Sequence, residues 1–164
     1  MKTALLGLVI FVLLVAAGWA MAPQREIVTE IAIAAPPDRV WAVLTDTAKY
    51  PEWNPFIVAM QGDIQQGATL TNRMRPRSGS ERTFRPVILR AEPDRELRWL
   101  GTLGLPRLFD GEHYFVLNPS PEGTRLVQGE RFRGLALWII DPEQFRADFE
   151  AMNQALKERA EHGA

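Results

Sequence analysis

Hydrophobic and polar residues alternate along several short segments in the middle of this chain, and the alternation predicts β-strands. Residues 25–34 alternate at first and then become apolar, as a first strand does. Further strands are predicted at 56–60, 68–75, 82–91 and 95–101, and residues 109–117 and 124–134 form a predicted hairpin around a turn at 118–123. Strands joined by short turns form an antiparallel sheet.

Two short helices are predicted directly after the first strand. Pro37 and Asp38 suit the first turn of a helix, and apolar residues such as Val40 and Leu44 follow at helical spacing. A second short helix, ended by a proline-rich bend, is expected over 46–53.

The C-terminal segment has the pattern of a longer amphipathic helix. Asp141 is a predicted N-cap, and Pro142 suits the first helical position. Apolar residues then recur at helical spacing towards residue 162: Phe145, Phe149, Met152 and Leu156. The order of strands followed by a packing helix predicts an α+β fold.

The N-terminus forms a separate unit in the sequence. Residues 3–23 carry no charge, and this apolar run matches the ~20 residues that a helix needs to cross a bilayer. Ala20 and Ala22 resemble a signal-peptide cleavage site, but Pro23 would follow the cut and hinder it. We therefore predict a membrane anchor at 1–23, which contacts the membrane through 4–22, and a domain at 24–164. A cleaved signal peptide is the alternative.

The charges that flank this run predict its orientation. Lys2 precedes it, whereas Arg25 follows it and is offset by Glu26. Positive charge is favoured on the cytoplasmic side of a membrane. The predicted location is therefore a single-pass membrane protein with its domain on the periplasmic or extracytoplasmic side, or a secreted or periplasmic protein after cleavage.

Composition excludes several kinds of chemistry. The chain contains no cysteine, which excludes disulfides, thiolate nucleophiles and cysteine-ligated metals. A formal net charge of -1 gives no overall indication of nucleic-acid binding. The two histidines are far apart in sequence, so we expect no metal site, and no motif predicts a cofactor. Nothing in the sequence sets the oligomeric state.

His113 is the strongest candidate for chemistry, because an unperturbed histidine titrates near neutral pH. The strand period of two places His113 on the same face as Phe115, and Glu130 on the same face as Phe132 of the partner strand. If both faces point inward, Glu130 lies diagonally near His113. Such a pair in an apolar cavity would polarise a carbonyl or hold a hydroxyl. Alternatively, the histidine serves packing alone.

Three short motifs occur in a recognisable order: Trp-Asn-Pro-Phe at 53–56, Glu-His-Tyr-Phe at 112–115 and Glu-Arg-Phe-Arg-Gly at 130–134. With the predicted elements over about 27–160, they resemble the SRPBCC superfamily (START-like, polyketide cyclase/dehydrase-like), especially the bacterial "SRPBCC domain-containing" group. The resemblance implies a helix-grip fold, in which a curved antiparallel sheet wraps a long C-terminal helix. It also implies a cavity between helix and sheet. Members bind lipids, sterols, quinones or polyketides, and some cyclise polyketides.

The expected function is therefore to bind, and as an extension to carry, a small hydrophobic molecule such as a lipid or quinone near a membrane. The first alternative is a cyclase or dehydratase that uses His113 with Glu130 as catalytic residues. The second is an interaction module with a filled core. The predicted ligand-binding residues are Trp53, Phe56, Trp99, His113, Phe115, Glu130, Phe132, Phe149 and Asn153.

Overall fold

The computed structural model describes residues 6–7, 19 and 21–163, and these confirm the α+β class. Among them, no helix combines the length and the apolar composition that crossing a bilayer requires. The anchor predicted at 4–22 lies mostly outside the described residues, so that prediction remains a prediction.

The order of elements follows the sequence-based prediction closely. The strands are β1 (Gln24–Ile33), β2 (Ile57–Gln61), β3 (Thr71–Met74), β4 (Arg82–Phe84), β5 (Val87–Glu92), β6 (Glu96–Thr102), β7 (Asp110–Ser120) and β8 (Gly123–Arg133). The helices are α1 (Pro37–Thr45), α2 (Tyr50–Trp53) and α3 (Arg146–His162). Short 3₁₀ turns lie at Thr47–Lys49, Leu135–Trp138 and Pro142–Phe145.

The strands form two antiparallel sheets. The larger sheet has five strands in the order β1-β8-β7-β6-β5, and the smaller has three in the order β2-β3-β4. Strands β7 and β8 pair without interruption from Asp110–Arg133 to Ser120–Gly123. The predicted turn at 118–123 was therefore too long, because the pairing continues until only residues 121–122 connect the strands.

The predicted strand at 82–91 is wrong as a single element. It is split into β4 and β5, which belong to different sheets. Pro86 separates them, because proline has no N–H to give to a sheet and interrupts the ladder. The two sheets remain connected beside this break, where Leu70 N donates to Pro86 O (2.9 Å) and Thr69 forms a bridge with Val87.

The C-terminal helix is capped as predicted but begins later. Asp141 Oδ1 accepts a hydrogen bond from Glu143 N (3.1 Å), yet the capped turn is the 3₁₀ segment and α3 follows at Arg146. Phe149, Met152 and Leu156 are fully buried in α3, which packs across β1 and α1. This arrangement is the helix-grip architecture.

The buried core lies wholly inside the folded domain. Among the described residues, the core cluster runs from Ile27 to Ala160 and contains side chains from both sheets and from α3. A domain that starts at Pro23 therefore keeps every one of these core residues, and we expect it to fold without the preceding segment.

Charged side chains cover the outer face of the larger sheet. Arg98 lies between Glu96 (2.7 Å) and Glu112, and Arg131 pairs with Glu26 (2.9 Å). Since alternate residues of a strand point to opposite faces, this arrangement leaves apolar residues for the inner face.

Candidate functional site

A cavity of about 280 Å³ lies between the inner faces of the two sheets. This volume is close to the lower end of the range for small-molecule sites, ~300–1,000 Å³. The smaller sheet and the segments that flank it contribute Phe56, Ile57, Asn72, Met74, Arg82 and Phe84. The larger sheet contributes Trp99, Gly101, Gly111, His113, Glu130 and Phe132.

The position of the cavity differs from the predicted one, which was between the sheet and the C-terminal helix. Helix α3 fills its own groove, because Phe149 and Met152 have no exposed surface. The space is instead left between the two sheets. Gln144 and Phe145, from the 3₁₀ turn before α3, close one end of it.

Two glycines shape the wall of the cavity. Gly101 of β6 pairs with Gly111 of β7, two residues along the strands from the pair formed by Trp99 and His113. A Cβ atom on Gly101 would lie 3.9 Å from the nearest atom, Gly111 O, so the space above it is open. A Cβ atom on Gly111 would lie 2.0 Å from Glu130 Oε1. The Glu130 carboxylate therefore occupies the place where a side chain at 111 would stand.

His113 and Glu130 form the pair that the sequence predicted, and they lie nearer to each other in the sheet than the prediction placed them. They are direct partners in the β7–β8 register, rather than diagonal neighbours. His113 Nδ1 lies 3.1 Å from Glu130 Oε2, and the two side chains are only 4% and 15% exposed. Since a carboxylate accepts, the proton of this hydrogen bond lies on Nδ1.

Gln128 completes the hydrogen bonding of His113. Its Nε2 lies 3.0 Å from His113 Nε2 and 3.6 Å from Met152 Sδ. An amide nitrogen donates, so His113 Nε2 is the acceptor. Both imidazole nitrogens are thus engaged within the protein. Glu130 Oε1 accepts no hydrogen bond from the part of the chain that the structure describes, which makes it the member of the group that can reach a ligand.

Aromatic rings hold the imidazole in place. Trp99 stacks on His113 with centroids 5.0 Å apart, and the rings of Phe115 and Phe149 lie at 4.8 and 4.9 Å. Phe115 and Phe149 are completely buried. They therefore pack against the His113 ring inside the core and do not form the surface of the cavity.

The structure brings together only part of the predicted binding set. The residues that line the cavity are Phe56, Trp99, His113, Glu130 and Phe132, and those that do not are Trp53, Phe115, Phe149 and Asn153. Trp53 packs instead beside Tyr50, with ring centroids 5.0 Å apart. Asn153 Nδ2 donates to Thr29 Oγ1 (2.9 Å), whereas its Oδ1 has no partner among the described residues, and Asn153 does not line the cavity.

Asn72 is a cavity residue that the sequence reasoning missed. It is 2% exposed, and within the described residues its Oδ1 has no hydrogen-bond partner. Its position in a predicted strand could have indicated a role, because asparagine is uncommon in strands. A buried acceptor without a partner is costly, and since Asn72 Oδ1 has almost no accessible surface, a donor could reach it only after a small rearrangement of the wall.

The loop between β3 and β4 covers one side of the cavity, with Pro76 and Ser78 in the wall. Arg77 N donates to the Asp148 carboxylate at 3.2 and 3.3 Å, and Ser78 Oγ lies 3.2 Å from Gln144 Oε1. Burial raises the pKa of Asp148, and the hydrogen bond from Arg77 opposes this increase. The loop is therefore held to the start of α3 by a buried carboxylate.

Among the described residues, no group of three or more His, Cys, Asp or Glu side chains is placed to hold a metal ion. The mostly apolar wall of the cavity contains both kinds of polar group, acceptors such as Glu130 Oε1 and donors such as the Arg82 guanidinium.

Comparison of the sequence with protein families gives one match over nearly the whole domain. A family model described as polyketide cyclase / dehydrase and lipid transport matches residues 24–161. No curated protein sequence matches the chain.

Solved structures with the same fold come from bacteria and plants. A protein from Chromobacterium violaceum is 20% identical with a TM-score of 0.68, over 85% of this chain and 99% of that chain. A major latex-like protein from Panax ginseng is 11% identical with a TM-score of 0.69, over 84% and 97%. Norcoclaurine synthase from Thalictrum flavum, solved with a transition-state analogue, is 13% identical with a TM-score of 0.60, over 85% and 95%. At these identities the likenesses show the fold alone.

Proposed function

We propose that this chain, which belongs to the polyketide cyclase/dehydrase and lipid transport family of the SRPBCC superfamily, binds a small and mostly apolar molecule between its two sheets. The observation that carries the proposal is the cavity of about 280 Å³, which is lined mainly by apolar side chains. Concave apolar sites with a few placed polar groups are the usual form of small-molecule sites.

The polar groups of the cavity select the kind of ligand. The wall holds an acceptor without a partner among the described residues, Glu130 Oε1, and the donors of Arg82, so it favours a ligand whose polar groups both donate and accept hydrogen bonds. A quinol or another phenol has such hydroxyl groups, whereas an oxidised quinone has only acceptors. Among the lipids and quinones expected from the sequence, reduced quinones and small hydroxylated lipids therefore fit best.

The size of the cavity limits the ligand further. Its volume of about 280 Å³ lies at the lower end of the range for small-molecule sites, ~300–1,000 Å³. This is room for one substituted ring system or for part of an acyl chain. A whole diacyl lipid would need additional space outside the cavity. An apolar segment at 4–22 that held the domain at a membrane would keep it beside a reservoir of such molecules.

An enzyme is the second candidate, because the buried His113–Glu130 pair lines the cavity. Both imidazole nitrogens already have partners, so Glu130 would be the general base and His113 would orient it. A cyclase or dehydratase acting on a carbonyl compound would need such a base. The existing cavity makes the third alternative, an interaction module with a filled core, the weakest.

Binding is tested with the domain that starts at Pro23, purified gently and examined by native mass spectrometry with parallel lipid extraction. We expect a co-purifying hydroxylated apolar molecule, or uptake of an added quinol with a higher melting temperature. The matched oxidised quinone should bind more weakly. A ligand-free mass and no thermal shift with a panel of quinols, phenols and lipids would refute the proposal.

The enzyme alternative has its own test. Small β-hydroxy carbonyl compounds and polyketide mimics are incubated with the domain and with Glu130→Gln. Water loss is followed by mass spectrometry, and ring closure, which leaves the mass unchanged, is followed by chromatographic separation of the products. Turnover that disappears in Glu130→Gln supports an enzyme. Ligand binding without turnover supports the binding function.

A further inference from the structure

An exposed apolar surface lies next to the cavity. It consists of three leucines in the β6–β7 connection and two residues after β8: Leu103, Leu105, Leu108, Trp138 and Ile139. We call this surface the loop patch. Leu105, Trp138 and Ile139 are 64%, 73% and 88% exposed. Single exposed apolar residues are common, but a cluster of large ones marks an interaction surface.

Backbone hydrogen bonds join the two halves of the loop patch. Leu135 N donates to Arg107 O (3.1 Å) and Ala136 N donates to Leu108 O (2.9 Å). Gly134 permits this close approach, because its φ is 148° and a Cβ atom there would lie 2.3 Å from Leu108 O. The apolar side chains are therefore presented on a fixed framework.

The loop patch borders the cavity. Leu103 belongs to both, and Phe109 and Ile140, which directly follow Leu108 and Ile139 in the chain, line the cavity wall. A partner that covers the loop patch would consequently lie beside the cavity.

The chain itself indicates what covers the loop patch. Gly134 N donates to Pro23 O (3.2 Å), so the uncharged run at residues 3–22 joins the domain directly beside the patch. That run has about the length and composition that a bilayer-spanning helix needs. A bilayer that contained this run would therefore also lie close to the loop patch.

We infer that the loop patch docks on a lipid bilayer, with Trp138 and Ile139 entering its interface. Tryptophan favours the level of the headgroups, where its ring is buried and its N–H can reach polar groups. Docking places the cavity against the membrane. The inference does not rest on the proposed ligand, because the docked orientation needs only the bilayer.

The experiment uses the absence of cysteine from the full chain. Single-cysteine variants Trp138→Cys, Ile139→Cys and Leu105→Cys are labelled with an environment-sensitive dye. The control is Glu122→Cys, in the β7–β8 turn at the far end of strands of 11 residues, roughly 33 Å away at ~3.3 Å per residue. Each full chain is reconstituted in vesicles of phosphatidylcholine and phosphatidylglycerol, with and without lipids brominated along the acyl chain.

We expect the labels in the loop patch to shift to shorter emission wavelengths in vesicles and to lose at least half of their emission to the brominated lipids. The label at position 122 should show neither change. Leu105→Cys retains Trp138 and Ile139, so it reports on docking even if the other two variants weaken it.

Three results would overturn the inference. One is a full chain that does not float with the vesicles. Another is a set of patch labels that behave like the label at 122. The third is a blue shift that brominated lipid does not quench, which would show that a second copy of the chain covers the loop patch. Far-ultraviolet circular dichroism of each labelled chain confirms that it is folded.

Discussion

His113 and Glu130 face each other directly across β7 and β8, with Nδ1 of the histidine 3.1 Å from Oε2 of the carboxylate. Gln128 donates to the opposite nitrogen of the same ring. The hydrogen bonds therefore run in one direction, from the Gln128 amide to His113 Nε2 and from His113 Nδ1 to Glu130. This direction fixes the tautomer of the imidazole.

We predict that neutral His113 carries its proton on Nδ1, the less common tautomer of free histidine. ¹⁵N spectra of the imidazole side chains will distinguish the two nitrogens. The variant His162→Gln removes the only other histidine and so assigns the signals. A neutral ring protonated on Nε2 would contradict the prediction, since the Gln128 amide would then have to be reversed.

Gly111 is predicted to be intolerant of even a methyl group. In Gly111→Ala the new Cβ would meet Glu130 Oε1 at 2.0 Å, so the carboxylate must leave its place and its hydrogen bond to His113. We expect a loss of about 1–3 kcal/mol in the free energy of unfolding, measured by urea titration.

Two controls identify the cause of this loss. Gly101→Ala, across the β6–β7 pair, meets nothing closer than 3.9 Å and should leave stability unchanged or increase it by up to ~1 kcal/mol. In the background of Glu130→Ala, Gly111→Ala should cost less, because the clashing group is gone. Additive effects in this cycle would show that the carboxylate is not the cause.

Much of the fold followed from the alternation of residues, because one face of each strand is buried and the other is charged. That pattern placed His113 on the same face as Phe115, and Glu130 on the same face as Phe132. It failed at 82–91, where β4 and β5 continue the same alternation in different sheets and only Arg85 and Pro86 separate them. A period of two is the same in both sheets, so it does not show where a chain changes sheet.

The cavity was harder to predict than the fold, because empty space depends on the size of every neighbouring side chain. Phe149 and Met152 of α3 fill the groove that was expected to be open. The cavity lies instead above Gly101, which has no side chain to fill it. A pattern of polar and apolar residues does not reveal such a space. The contact of Gln128 with His113 could have been predicted from the sequence, because Gln128 lies two residues before Glu130 on the same strand face.

Gly101→Leu is predicted to occupy part of the cavity and to weaken ligand binding. The leucine side chain would extend into open space on the same strand face as Trp99, without meeting backbone at its Cβ. We expect at least a tenfold loss of affinity for the quinol or other bound molecule, measured by titration, with a melting temperature no lower than that of the natural chain. Gly101→Ala, which removes much less space, should keep most of the affinity. Unchanged affinity in Gly101→Leu would place the ligand elsewhere.

Asp148 is predicted to make stability depend on pH in the direction opposite to that of most surface carboxylates. Its pKa in the folded protein is raised above the ordinary value because the side chain is 3% exposed and desolvated. The folded state therefore holds the Asp148 proton more tightly than the unfolded chain does. The corresponding stability is fully present below the ordinary aspartate pKa of ~3.9, and it is lost as the pH rises through the raised folded pKa.

Asp148→Asn isolates this contribution, because asparagine keeps an oxygen that accepts from Arg77 N but carries no charge to desolvate. We expect the free energy of unfolding of Asp148→Asn, relative to the natural chain, to increase from about pH 4 to about pH 7, as measured by urea titration at each pH. Asp63→Asn, at an exposed position, is the matched control and should show a smaller change across the same range. A difference for Asp148→Asn that stays constant, or that decreases with pH, would mean that the Arg77 backbone and guanidinium groups outweigh the cost of burying the Asp148 carboxylate.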